Sequence, residues 1–156
     1  MGVGKSAVCS ELLHLLQPGV YLDGDWCWNM RPFSVTDEMK AMVMDNICAI
    51  LGRFLTCSEL RYVIFGWVMH QQTILDQICA RLPLEGVSVI QISLVAAPET
   101  LTARLMMDIA AEKRTPDVID RSLAYLPLYQ QLTTEKLSTD GLTPRQVAER
   151  IAAIAQ

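Results

Sequence analysis

A chain of 156 residues is long enough for one domain with a buried core and too short for two of ordinary size. Its composition, 51% hydrophobic and 19% charged with a mean hydropathy of +0.26, excludes a disordered chain. Thirteen Lys and Arg against 17 Asp and Glu leave a net charge of −4, which excludes the broad positive field that binding a polymeric nucleic acid requires, while a small anion held by a few local cations stays open.

The five cysteines, Cys9, Cys27, Cys48, Cys57 and Cys79, are odd in number and contain no Cys-x-x-Cys pair. Neither a disulfide framework nor a zinc knuckle is expected, and a reducing cytoplasm fits. No basic segment leads into an apolar one near the start, and the apolar run over 87–97 is broken by Ser and Gln. Neither export nor membrane insertion is therefore expected.

In chain order, residues 6–17 place Ala7, Val8, Leu12, Leu13, Leu15 and Leu16 at helical spacing that Pro18-Gly19 stops. Val20-Tyr21-Leu22 predicts a short buried strand closed by Asp23-Gly24-Asp25. The longest helix is expected over 36–55, where Met39, Val43, Ile47, Ile50, Leu51 and Phe54 recur and Ser34 or Thr36 can cap. Residues 61–69, rich in β-branched and aromatic side chains, predict a strand; 71–82 a helix; 87–95 a buried strand; and 98–111 a helix opened by Pro98. A polar segment over 112–121 predicts a charged mobile flap, followed by a helical stretch with Leu123, Leu126 and Leu128. A short strand over 136–139, a turn at Asp140-Gly141 and a helix over 143–155 complete the chain. Apolar strands alternating with helices predict an α/β fold, a parallel sheet covered by helices on both faces, in one domain over 1–156.

Gly2-Val3-Gly4-Lys5-Ser6 stands at the mouth of the first helix and completes the second half of the phosphate-loop pattern G-x-x-x-x-G-K-[ST]. Glycines let several N–H groups converge on phosphate oxygens, and the helix N-terminus adds partial positive charge. Lys5 can then reach the β and γ phosphates and Ser6 can hold Mg²⁺. The pattern's first glycine would fall before Met1, and so would the strand that delivers the loop. Without that internal strand, a parallel sheet is expected to have two inner edges left unpaired.

Asp23-Gly24-Asp25 follows the second predicted element, so its carboxylates should emerge at the carboxyl edge of the sheet, where open α/β folds bind ligands. A carboxylate there can take a proton from an attacking hydroxyl or hold a water on Mg²⁺; a plain Asp-Gly turn is the bland alternative. Trp26, Trp28, Met30, Pro32 and Phe33, with Arg31 among them, wall an acceptor pocket or form core beneath a loop. His70 falls just past the strand expected over 61–69, near the expected site edge.

GVGKS, then LDGD, then the arginine-bearing stretch RLMMDIAAEKRTPDVIDRSLAYLPLY and the final TDGLTPRQVAERI together resemble the small P-loop kinases. The nearest likeness is to the broad-specificity nucleoside-monophosphate-kinase-like group, beside shikimate-, gluconate- and chloramphenicol-phosphotransferase-like kinases. The resemblance implies a three-layer P-loop fold and an ATP- and Mg²⁺-dependent kinase acting on a nucleotide-like or hydroxyl-bearing acceptor, as monomer or homodimer. The alternative is a non-catalytic or truncated ATP-binding module. By position it assigns Gly2, Val3, Gly4, Lys5, Ser6 and Ala7 to the ATP phosphates, with Ser6 on the metal, and Asp23 or Asp25 to the acceptor. It assigns Arg104, at the start of a lid over about 104–125, to the adenine and phosphates, and Arg114 and Arg121 to transition-state charge. The loop ending at Pro144 would cup the adenine. Asp108 stands where nucleotide kinases commonly carry another arginine.

Overall fold

The computed structural model describes residues 1–155. In chain order the elements are α1 (Lys5–Leu15), β1 (Gly19–Asp23), a 3-10 turn (Gly24–Trp28), α2 (Asp37–Leu55), β2 (Tyr62–Gly66), α3 (Gln72–Cys79), β3 (Ile92–Val95), α4 (Pro98–Ala110), α5 (Val118–Gln130), β4 (Glu135–Ser138) and α6 (Pro144–Ala155). Thr36 caps α2 by accepting the Met39 N–H at 3.2 Å, and Asp37 and Glu38 in its first turn complement the helix dipole.

All strand pairing is parallel. β1 lies beside β2 with Gly19 opposite Tyr62 and Asp23 opposite Gly66, and β3 lies beside β4 with Ile92 opposite Glu135 and Val95 opposite Ser138. The two ladders are separate, with no hydrogen-bonded strand pairing between β2 and β3 among the described residues. Between β2 and β3 runs a cavity of about 1050 Å³ that continues up to the glycine loop.

Alternation along β2 sets the layers. Tyr62 and Ile64 pack with α1 and α6, in a core of Val8, Leu12, Leu16, Val147, Ala148 and Ala152. Val63 and Phe65 face the opposite way, onto the Val43, Ile47 and Leu51 stripe of α2 and Ile78 of α3. A third, smaller cluster of Leu101, Leu105 and Val118 joins α4 to α5 and carries Met1 and Val3 against it.

Three elements are shorter than their sequences predict. The strand expected over 87–95 forms only at Ile92–Val95, and Val87, Val89 and Ile90 are 36%, 48% and 41% exposed. The reason is pairing: the ladder with β4 starts where Glu135 N–H reaches the Gln91 carbonyl, and the other side of the segment borders the cavity. The strand expected over 61–69 ends at Gly66, because its partner β1 turns away after Asp23. The helix expected over 71–82 closes at Cys79, in turns that precede Pro83. Conversely, the polar flap is shorter than expected: Val118 is 2% exposed against Leu101 and Leu105, so α5 begins there and takes Arg121 into a helix.

Leu105, fully buried, joins α4 to both the glycine loop and α5. Leu105→Ala should lower stability in urea unfolding by about 3 kcal/mol, whereas the exposed Met106→Ala should change it by less than ~0.5 kcal/mol.

Candidate functional site

The glycine loop is built by backbone geometry. Gly2 has φ 76° and a Cβ there would lie 2.8 Å from Leu101 Cδ1, so both conformation and contact with α4 require glycine. Gly4, at φ 90°, is the N-cap of α1 and offers no side chain to the first turn. The N–H groups that open α1 therefore have no intrahelical acceptor and no capping side chain, a ready anion site, with Lys5 as the first helical residue.

Ser6, next along, donates its hydroxyl to Asp23 Oδ2 at 2.8 Å, which ties the start of α1 to the end of β1. Tyr21 donates to the same oxygen at 2.8 Å, and Asp25 N–H reaches Oδ1 at 3.0 Å. Burial pushes the Asp23 carboxyl up, but the Asp25 N–H, the two hydroxyls and the Lys5 charge outweigh it and hold the group below the ordinary carboxylate value. Tyr21 responds in the opposite sense: burial and the carboxylate it donates to raise its phenol well above normal. Gly24 then lets the chain pass Trp67, since a Cβ there would lie 2.5 Å from that ring. This delivers Asp25, exposed, to the wall of the cavity.

Two of the three expected arginines also line the cavity. Arg104 donates to the Thr139 hydroxyl at 2.8 Å, to the Thr139 carbonyl at 2.9 Å and to the Val3 carbonyl at 3.4 Å, clasping α4, the end of β4 and the glycine loop. Arg114 donates to Asp108 Oδ2 at 3.2 Å and lies 3.8 Å from the Met1 sulfur. Arg121 is not brought to this place: it pairs with Asp117 at 2.8 Å and lines a separate cleft with Glu112 and Lys113.

A model of the AAA domain family matches residues 1–121. The chain belongs to that family. No curated protein matches it. Among solved structures, the Deinococcus radiodurans tunicamycin resistance protein is similar at TM-score 0.69 and 19% identity, over 99% of this chain and 90% of that one. A sugar kinase from Janibacter sp. HTCC2649 is similar at TM-score 0.68 and 17% identity, over 97% and 87%. A gluconokinase from Sinorhizobium meliloti 1021 is similar at TM-score 0.69 and 16% identity, over 98% and 85%. At these identities the likeness is one of fold, an α/β fold of parallel strands flanked by helices.

In this AAA-domain chain, Gly2, Val3, Gly4, Lys5, Ser6, Ala7, Asp25, Arg104 and Arg114 all border one cavity, and Asp23 stands behind Ser6. Pro144 opens α6 and does not border it. Neither does His70, whose ring stacks on Tyr125 at 4.3 Å and whose Nδ1 is buried without a partner; burial lowers its pKa. The aromatic stretch divides: Trp28 and Met30 pack on the α2 core, while Trp26 and Phe33 are 63% and 67% exposed.

Tyr21 is the functional residue that the sequence reading misses, although its position two before Asp23 in a strand puts both side chains on one face. Thr139 is missed because nothing in its local pattern marks it as the partner of an arginine 35 residues away. The Ser6 hydroxyl oxygen, its proton turned to Asp23, fits magnesium, which keeps several waters and takes few protein oxygens beside those of phosphate. Among the described residues no cluster of three or more His, Cys, Asp or Glu could hold a metal alone.

Because the folded Asp23 pKa lies below its unfolded value, the stabilisation it brings is present above the unfolded value, about 3.9, and is lost as pH falls through the folded one. Asp23→Asn should therefore destabilise most near neutrality, and its deficit in urea unfolding should shrink steadily from about pH 6 to about pH 2. A deficit independent of pH would contradict the placement of this charge.

Proposed function

We propose that the chain is an ATP- and Mg²⁺-dependent phosphotransferase that moves the γ-phosphoryl group to a small hydroxyl-bearing or nucleotide-like acceptor. The observation that carries this reading is the Ser6–Asp23 bond of 2.8 Å beside Lys5 at an uncapped helix N-terminus, facing a cavity that Asp25 and Arg114 also line. That two fold neighbours are titled sugar kinase and gluconokinase favours a hydroxyl as the acceptor group.

In this reading the free N–H groups at the start of α1 and the Lys5 ammonium bind the β and γ phosphates. Ser6, oriented by Asp23 behind it, would hold Mg²⁺, which when bound would neutralise charge on the phosphate oxygens. Asp23 has both oxygens engaged by Ser6, Tyr21 and the Asp25 N–H, so it acts through Ser6, holding the hydroxyl proton away from the metal side. Asp25 is the carboxylate left to face the acceptor. It takes the hydroxyl proton as the acceptor oxygen bonds to the γ-phosphorus and the bond to the β-phosphate oxygen breaks, releasing ADP.

Arg114, steered by Asp108, offsets charge on the transferring group, and Arg104 holds the loop carbonyl at Val3 so that the N–H groups keep their aim. Arg121 joins them only if its pair with Asp117 opens and the 111–117 segment swings inward. The exposed Trp26 and Phe33 offer flat apolar contact to an acceptor.

ADP release measured over panels of small sugars, alcohols and nucleoside monophosphates tests this. An acceptor-dependent rate is expected, lowered by more than ~100-fold in Lys5→Ala and by ~100-fold or more in Asp25→Asn. ATP binding with no acceptor-dependent ADP from the folded protein would instead establish a nucleotide-binding module.

A further inference from the structure

Residues 111–117 join α4 to α5 and are all exposed, between the buried Leu105 and Val118 that anchor the two helices to one cluster. With no buried side chain of its own, this segment is held by polar contacts, and its first half hangs on one residue. Asp108 takes the Lys113 N–H on its carbonyl at 2.9 Å and Arg114 Nε on its carboxylate at 3.2 Å. Glu112 makes the turn that brings both back to α4, at φ 55°, a left-handed conformation that glycine adopts freely and glutamate does not. At the far end a second acid, Asp117, takes Thr115 and Arg121 instead.

The Asp108–Arg114 pair has the chemistry of a contact that exchanges. Only Nε of the guanidinium is engaged, at a length beyond the roughly 2.9 Å of a strong charge-assisted bond. Nη1 meets the Met1 sulfur, a weak acceptor, at 3.8 Å. The two side chains are 37% and 35% exposed, so water screens their attraction. A phosphate group offers the same guanidinium two oxygens in a fork. The competition is local: Asp108, Arg114 and Lys5 border one cavity, and Asp108 lies one turn beyond Arg104, which itself reaches the Val3 carbonyl of the glycine loop.

We propose that Asp108 is a latch on this site, holding Arg114 and with it the 111–117 segment beside the glycine loop until the phosphate oxygens of the nucleotide displace it. The proposal rests on the reading of this cavity as the nucleotide phosphate site. Asp108 is a positioning residue that acts through Arg114. Its carboxylate works in one direction twice: it occupies the arginine, and it sets a negative charge on the wall that phosphate approaches. The latch lowers nucleotide affinity and gives the segment a defined place to return to when the product nucleotide leaves.

Trypsin cutting at Lys113 and Arg114 reads the latch without nucleotide. Asp108→Asn should be cut about 3-fold faster than the unaltered chain. Asp120→Asn, which removes the same charge from the exposed first turn of α5, should be cut at the unaltered rate. Equal rates for Asp108→Asn and the unaltered chain would overturn the latch. Calorimetry with Mg²⁺-ATP reads the exchange. Asp108→Asn should bind about 5-fold tighter, a gain that a merely structural defect does not give, and Asp120→Asn should bind as the unaltered chain does. Unchanged or weaker binding by Asp108→Asn would overturn the exchange. In an Arg114→Gln background the gain from Asp108→Asn should fall by about half or more, whereas an equal gain there would mean charge repulsion alone and would overturn the part given to Arg114. Neither readout needs turnover, so absence of acceptor-dependent ADP would overturn the phosphotransfer reading and leave the latch standing. No binding of Mg²⁺-ATP by either the unaltered chain or Asp108→Asn would overturn both.

Discussion

Asp23 accepts three hydrogen bonds with two oxygens, and through them the start of α1, the end of β1 and the 3-10 turn are held in one arrangement. Each partner comes from a different piece of local structure. Ser6 is placed by the helix that Gly4 opens, Tyr21 by the alternation of a strand, and the Asp25 N–H by the turn that Gly24 allows past Trp67. A buried carboxylate with fewer partners would carry a large desolvation cost, so the donors and the ionised state sustain each other. The consequence for chemistry is a division of labour between two acidic residues only two positions apart: one is fully engaged and buried, the other exposed to the cavity.

A second clasp works at longer range. Arg104 reaches from α4 to Thr139 beyond β4 and to the Val3 carbonyl, tying the glycine loop to the β3–β4 ladder, while the Ser6 bond to Asp23 ties it to β1. Gly2 against Leu101 and Leu105 adds an apolar contact to the same junction. The site thus depends on three side-chain contacts bridging what the sheet leaves separate.

Much of this was legible in the residues. The helix entry at Gly4-Lys5-Ser6, the strand ending in Asp23 and the capped helix after Thr36 follow from local rules, because glycine conformation, apolar periodicity and capping act over a few residues. Strand lengths were not legible: 87–91 has strand composition but no partner, and pairing is decided by residues far away in sequence. The same holds within the site. Tyr21 on Asp23 could be read from a two-residue period, whereas Arg104 on Thr139 and the turn of Arg121 towards Asp117 depend on tertiary packing.

In the proposed mechanism Ser6 and Asp23 act as one unit on the magnesium nucleotide. A double-mutant cycle with Ser6→Ala and Asp23→Asn, read as the Mg²⁺-dependent part of ATP affinity by calorimetry, addresses it directly. Non-additivity is expected, with a coupling above ~0.5 kcal/mol that disappears when Mg²⁺ is left out. Additive losses, or a coupling that is the same with and without Mg²⁺, would contradict it.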